Sequence, residues 1–288
     1  MTATGPLLAV DAPSLLYRAF YALPTSITDE DGEPVNALLG TVNLLLWAIE
    51  KHDPRAVVMC FGEEAATYRV ELYPAYHAKR PEMPAELAAQ WRQADAFFGA
   101  FGWYVEHHDA LEADDVLGSL ALTETEAGGT ALLYTGDRDM FQCASESVAI
   151  LYPRGAKDGP EYVDVAGVRK RYGVDPGQVP DFIALRGDPS DGLPGAKGIG
   201  EKTAKDLLRE HGTLEATIAA SVRLRPRIGA ALREQAEELR AFREIATLVR
   251  VPLERPADRP TDWLAGAAAA RGRGMRRLAE RLERLAKP

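Results

Sequence analysis

The sequence predicts an α/β protein: a mostly parallel central sheet flanked by helices, followed by a separate helical region. Three observations carry this expectation. First, short apolar runs alternate with helical patterns in the first half of the chain. LLAV (7–10), AVVMCF (56–61), ALLYT (131–135) and VAIL (148–151) have the length and β-branched content of buried strands. LLGTVNLLLWAIEKH, PAELAAQWRQADAFFGAFG and DDVLGSLALTETEAGG lie between them with apolar residues at helical spacing. Strand–helix–strand repetition puts parallel strands beneath crossover helices on both faces. Second, the strand signal fades after Val165. VAGVRKRYG, QVPDFIALRG, EKTAKDLLREHG and IGAALREQAEELRAFREIATLV all read as helical, which places a boundary near 175–180 and divides the chain into 1–178 and 179–288. Third, 288 residues with 46% apolar composition suffice for a large core.

Composition narrows the function classes. No apolar run approaches the ~20 residues needed to span a bilayer, so no membrane association is expected. The opening MTATGPLLAVD lacks a basic segment and a long apolar stretch, so it does not read as a signal peptide. Two cysteines, Cys60 and Cys143, without metal-ligand spacing fit small buried hydrophobes in a reducing cytoplasm. There is no internal repeat, and nothing demands more than a monomer. The net charge of −9 argues against a nucleic-acid partner only if charge is spread evenly. It is not: RGRGMRRLAERLERLAKP and YHAKRP are basic, while acids gather in a few short motifs. Acids that hold cations are compatible with a nucleic-acid partner.

LEADDVLGSLA (111–121) crowds Glu112, Asp114 and Asp115 at the start of a helix. On a helical wheel Val116, Leu117 and Leu120 share one arc; the acids and Gly118 take the other. Alone, this is a solvated first turn that favours the helix dipole. Three further acidic sets change the weighing. Asp11 ends the first strand, Asp137 and Asp139 follow the strand ALLYT, and Asp188 and Asp191 sit in RGDPSDGLPG. Ligands of parallel sheets collect beyond the carboxyl ends of the strands. Carboxylates meeting there would repel unless a divalent cation such as Mg²⁺ held them, and two such ions can activate water against a phosphodiester. VDAPS lacks the second Asp that a haloacid-dehalogenase-like phosphatase would need.

LPGAKGIGEKTAKDLL (193–208) is a separate signal. Gly195, Gly198 and Gly200 allow backbone amides to approach a phosphate at a helix start, and Lys197, Lys202 and Thr203 add contacts that read no sequence. The spacing is close to that of helix-hairpin-helix duplex binders.

The motifs VDAPSLLYRAFYALP, DGEPVNALLG, LEADDVLGSLA, YTGDRDMFQ and GDPSDGLPGAKGIGEKTA, in this order, make the chain resemble the bacterial 5′ nuclease family, from Leu8 to about residue 250. These are 5′–3′ exonuclease and flap endonuclease domains similar to the N-terminal part of DNA polymerase I, and the resemblance is to the stand-alone form. The resemblance implies a PIN-like fold and Mg²⁺- or Mn²⁺-dependent hydrolysis of DNA at 5′ ends and 5′ flaps, in replication or repair. It implies metal ligands at Asp11, Glu112, Asp114, Asp115, Asp137, Asp139, Asp188 and Asp191. Asp11, Asp115 and Asp137, with Lys79 and Arg80, would form the catalytic set. It also implies a helical arch near 76–100, with Tyr76 stacking on a base and Arg18, His77, Lys79 and Arg80 against DNA. A K⁺ ion in the glycine-rich segment and a separate DNA polymerase as partner are further implications.

Two departures fall inside this machinery. Gly62 stands where the family has an Asp, seven residues before Arg69, leaving Glu63 or Glu64 to reach in. His77 stands where the family has a Lys. They keep three readings open: an active nuclease with an altered first metal site, a structure-specific DNA-binding protein with reduced catalysis, and a related RNA-cleaving nuclease.

Overall fold

The computed structural model describes residues 5–154 and 159–287, so the first four residues of the opening segment lie outside it. Leu7–Asp11 (β1) is buried along its whole length and pairs in parallel with Ala56–Gly62 (β2) on one side and Ala131–Tyr134 (β4) on the other. Tyr104–His108 (β3) extends the sheet beyond β2, Val148–Tyr152 (β5) beyond β4, and Glu161–Val163 (β6) adds an antiparallel edge. The order is β3-β2-β1-β4-β5-β6. Strand order therefore reverses between β1 and β4, and a crevice opens at their carboxyl ends.

The four expected strands are present. The two edge strands escaped sequence reading because YVEHH mixes polar residues into the run and EYV is only three residues long. Ala12–Ala22 (α1) was also unannounced by its apolar pattern. Asp11 caps it, accepting the Ser14 amide at 2.9 Å, and Pro13 suits its first turn.

Helices cover both faces. Asn36–His52 (α2), Thr67–Leu72 (α3), Ala85–Gly99 (α4), Ala113–Glu126 (α5), Val165–Tyr172 (α6), Val179–Arg186 (α7), Glu201–His211 (α8), Leu214–Ala219 (α9), Pro226–Glu234 (α10), Ala236–Ala246 (α11), Trp263–Arg271 (α12) and Arg276–Leu285 (α13) follow in chain order. Leu8, Val10, Val57 and Met59 face one core layer with α1, α2, α4, α12 and α13. Leu7, Ala9, Val58 and Cys60 face the other, with α5 and the helices from α6 to α11.

The helices of residues 179–288 divide between the two core layers. After α11 the chain crosses at Arg55, where the Arg259 amide donates to the Arg55 carbonyl at 2.8 Å, and α12 and α13 pack on the opposite face. The long periodic run 228–249 also breaks at Gln235 into α10 and α11. Of the stretch 76–100, where an arch is expected, only α4 is helical. Residues 80–84 are irregular, and α4 buries Leu87, Gln90, Ala94, Phe97 and Phe98, because its apolar stripe finds a partner surface on the sheet layer.

Candidate active site

The carboxyl ends of β1 and β4 are held together by one hydroxyl. Thr135 Oγ1 donates to Asp11 Oδ2 at 2.6 Å and accepts the Asp137 amide at 2.9 Å. The Asp139 amide in turn donates to Asp137 Oδ1 at 2.8 Å, a turn that aims both carboxyls across the crevice. From the start of α5 comes Asp114. From the loop after α7 come Asp188 and Asp191, on a tight hairpin where Asp188 and Leu193 exchange backbone hydrogen bonds. Asp11, Glu112, Asp114, Asp137, Asp139, Asp188 and Asp191 all line one cavity of about 960 Å³. Thr135, which sets the Asp11 carboxylate, was missed by motif reading; its signal was its place as the last residue before Gly136-Asp137.

These carboxyls feel one another. Burial first, then the charges of Asp191, Asp11 and Asp188, push Asp137 up to about 7. Burial and then Asp137 and Asp11 raise Asp114 well above its ordinary value; burial, Asp137 and Asp191 do the same to Asp139. Asp11 is raised by burial against the pull of the Thr135 hydroxyl. Mutual repulsion across four chain segments is the electrostatic condition that a divalent cation relieves, and all-oxygen donors suit Mg²⁺ or Mn²⁺. As the side chains stand, among the described residues no three His, Cys, Asp or Glu groups already close on a single point.

Not every expected ligand joins this field. Asp115 is fully buried and does not line the cavity. Its carboxylate accepts from Arg69 at 2.9 Å, from the Val249 amide at 2.8 Å and from the Glu112 amide at 3.2 Å. The wheel placed it beside Asp114, but Arg69 draws it inward, so it is a structural hub. Glu112 reaches the cavity already engaged, with Arg69 at 3.0 Å, the Ala66 amide at 2.9 Å and the Tyr76 hydroxyl at 3.0 Å. Gly118, on the same arc as the acids, lies against Leu248.

The expected DNA contacts are also redistributed. Tyr76 is buried with its hydroxyl on Glu112 and its ring 3.8 Å from that of His77, so it offers no face to a base. His77 adopts φ +53°, fixed by its ring: Nδ1 donates to the Glu64 carbonyl at 2.8 Å, and Nε2 meets Asp191 Oδ1 at 3.1 Å. It is a strut between two walls. Lys79 is exposed and does not line the cavity, whereas Arg80 does, 3.6 Å from Asp191. Arg18 is exposed with its guanidinium on the Pro153 carbonyl at 2.8 Å, also off the cavity lining. Other aromatic rings of the cavity lining are Tyr17, Tyr21 and Trp91, with Tyr21 68% exposed and Tyr17 and Trp91 half-buried.

Gly62 lines the cavity and has no room for a side chain. A Cβ there would lie 2.4 Å from the Leu111 carbonyl oxygen and 2.6 Å from the Ala113 nitrogen. Glu63 and Glu64 line the same wall and are exposed.

In the glycine-rich segment, Gly195 serves the loop itself. A Cβ would lie 2.3 Å from the Gly187 nitrogen, so the glycine permits a backbone crossing rather than a phosphate approach. Lys197, Gly198, Gly200 and Lys202 are exposed, Thr203 half-buried, and Gly200 precedes α8 without a side-chain cap.

Residues 6–173 match the family described as the 5′–3′ exonuclease N-terminal resolvase-like domain, and residues 174–261 the 5′–3′ exonuclease C-terminal SAM fold. The chain belongs to the 5′–3′ exonuclease family. DNA polymerase I of Mycobacterium tuberculosis is 38% identical over 255 residues, 88% of this chain and 28% of the polymerase. Thermostable DNA polymerase I of Thermus thermophilus is 37% identical over 280 residues, 97% of this chain and 32% of that one. This exonuclease-family chain thus spans about a third or less of the polymerases it matches. Its fold matches that of the T5 D15 protein co-crystallised with metal ions, with a TM-score of 0.67 and 16% identity, covering 98% of this chain and 100% of that one. The catalytic core of Rad2 in complex with DNA substrate gives a TM-score of 0.63 at 14% identity, covering 96% of this chain and 91% of that one.

Proposed function

We propose that this chain is a 5′ nuclease that hydrolyses DNA phosphodiesters at 5′ ends and 5′ flaps with Mg²⁺ or Mn²⁺. One observation carries the reading: six aspartates from four chain segments face one cavity, where burial and neighbouring carboxylate charge hold Asp114, Asp137 and Asp139 above the ordinary carboxyl range. Asp11, Asp114, Asp137, Asp139, Asp188 and Asp191 would hold the ions; Asp115 supports them through Arg69. When bound, such ions supply activated water and stabilise the departing oxygen. The chain's own groups do the rest. Thr135 fixes Asp11, Arg80 at the rim attracts the phosphate, and Tyr17, Tyr21 and Trp91 offer faces on which unpaired bases stack. A K⁺ ion at the glycine-rich hairpin, a reducing cytoplasm, a monomeric state and a separate polymerase acting nearby belong to the same proposal.

The test is a 5′-flap DNA incubated with Mg²⁺ or Mn²⁺. Short 5′ products that EDTA abolishes are the expected result. Intact flap binding without product at enzyme excess would favour the second reading, a structure-specific DNA-binding protein. The blocked space at Gly62 and the engaged ring of His77 are the observations on that side.

A further inference from the structure

The six aspartates of the cavity differ in what faces them. Asp11 accepts from the Ser14 amide and the Thr135 hydroxyl, and Asp137 from the Asp139 amide, all neutral donors. Among the described residues, no basic side chain lies within ion-pair distance of Asp11, Asp114, Asp137 or Asp139. Asp188, by contrast, pairs with Arg186 at 3.3 Å, and Asp191 meets His77 at 3.1 Å and Arg80 at 3.6 Å.

The two arginines are held differently. Arg80 is 39% exposed, so its side chain can leave Asp191 for an arriving phosphate. Arg186, at the end of α7, is 16% exposed and fixed on three sides. Its Nη2 donates to Asp188 Oδ2, and its Nε donates to the Gly187 carbonyl at 3.0 Å. The guanidinium carbon lies 5.1 Å from the ring centre of Phe182 and 5.7 Å from that of Tyr172. A planar cation seated on two rings keeps its place and its charge. The other oxygen of Asp188 accepts from the Ser190 amide at 2.9 Å and from the Ser190 hydroxyl. Both oxygens of Asp188 are thus engaged, and a divalent ion arriving there must displace a fixed guanidinium or stand beside a like charge.

We infer that Arg186 is a resident cation of the Asp188–Asp191 pair and stands in electrostatically for one divalent ion. The chain then binds one ion tightly, through Asp11, Asp114, Asp137 and Asp139, and a second at Asp188 and Asp191 only at higher concentration. The inference rests on the proposed metal-dependent reading and concerns how the ions are shared among its carboxylates. Four carboxylates with only neutral donors gain most from a 2+ charge, and two that already face cations gain least.

The test is a Mn²⁺ titration of the full chain without DNA, followed by the electron paramagnetic resonance signal of free Mn²⁺ and by calorimetry. The wild type should bind one ion at least about tenfold more tightly than the next. Arg186→Met removes the charge and keeps an apolar chain against Phe182. It should tighten the second ion by about tenfold or more while the first stays within about threefold. Arg186→Lys keeps the charge and should keep the wild-type titration, which separates electrostatics from packing. The wild-type titration stands by itself should the Met variant fail to fold. Two equally tight ions in the wild type would overturn the inference and leave the nuclease reading intact, as would an unaltered second ion in folded Arg186→Met. Absence of Mn²⁺ binding by the wild-type chain would overturn both.

Discussion

At Asp137 the protein stores a charge conflict that pH and metal can each relieve. Burial and its acidic neighbours lift this carboxyl from 3.8 to about 7. A carboxyl raised in the folded state stabilises fully while protonated, below its unfolded value, and that stability is lost as pH rises through about 7. In EDTA the melting temperature should therefore fall between about pH 5 and pH 8, and Mg²⁺ should raise it more at the higher pH, as differential scanning fluorimetry would record. Asp137→Asn should raise the metal-free melting temperature at about pH 8 while shrinking the response to Mg²⁺ and cutting cleavage by at least about 10²-fold. A metal-free melting temperature that climbs with pH would contradict the charge conflict. Gly62 yields an opposite lesson. Restoring an Asp there looks from the sequence like the repair of a lost ligand, yet its Cβ would press on backbone at 111–113. Gly62→Ala should destabilise by about 1–3 kcal/mol in urea unfolding, and Gly62→Asp should bring no gain in turnover. A stable, faster Gly62→Asp enzyme would show that the segment yields. The spacing of the acids was legible in the sequence because Asp11, Asp137, Asp188 and Asp191 follow turn and strand ends. The crowding around Gly62 was not, because it depends on a segment about fifty residues away in the chain.

At the scale of elements, α5 and α3 are joined through Arg69. Its guanidinium pairs with Asp115 and Glu112, and its Nε donates to the Ile245 carbonyl at 3.0 Å. Burial works against its charge, but the two carboxylates hold it ionised. Truncating it would leave two buried carboxylates without their cation. Arg69→Met should therefore cost about 3–5 kcal/mol, read by urea unfolding, and disturb Asp114 through its neighbour. A loss under 1 kcal/mol would show that water takes over the pairing. This explains why the wheel went astray at the start of α5. Periodicity assigns a face by apolar content, and a buried arginine from another helix reverses the assignment for Asp115. The same limit applied at Tyr76 and His77, which a basic, aromatic stretch presents as DNA contacts. Backbone geometry turns both inward. The four central strands and most helices were legible because their apolar spacing is strong; edge strands and the break at Gln235 depend on tertiary pairing.

For the whole molecule, the decisive feature is the return of the chain from one face of the sheet to the other. Glu124, buried at the end of α5, receives two hydrogen bonds from Arg55 and two more from Arg255 at 3.0 Å each. Arg55 also holds the Pro256 carbonyl and Asp258, so one carboxylate fastens the crossing segment beneath the strands. Glu124→Ala should speed hydrogen exchange across residues 251–262 and lower the melting temperature, while flap affinity stays near wild type. An unchanged exchange pattern would show that α12 and α13 hold the segment alone. The crossing has a practical corollary. Because one core layer takes helices from the middle of the chain and the other takes helices from its far end, no single cut yields two self-sufficient halves. The aspartate bowl is not a transplantable module, and grafting it elsewhere would require bringing the floor that its last two helices press against.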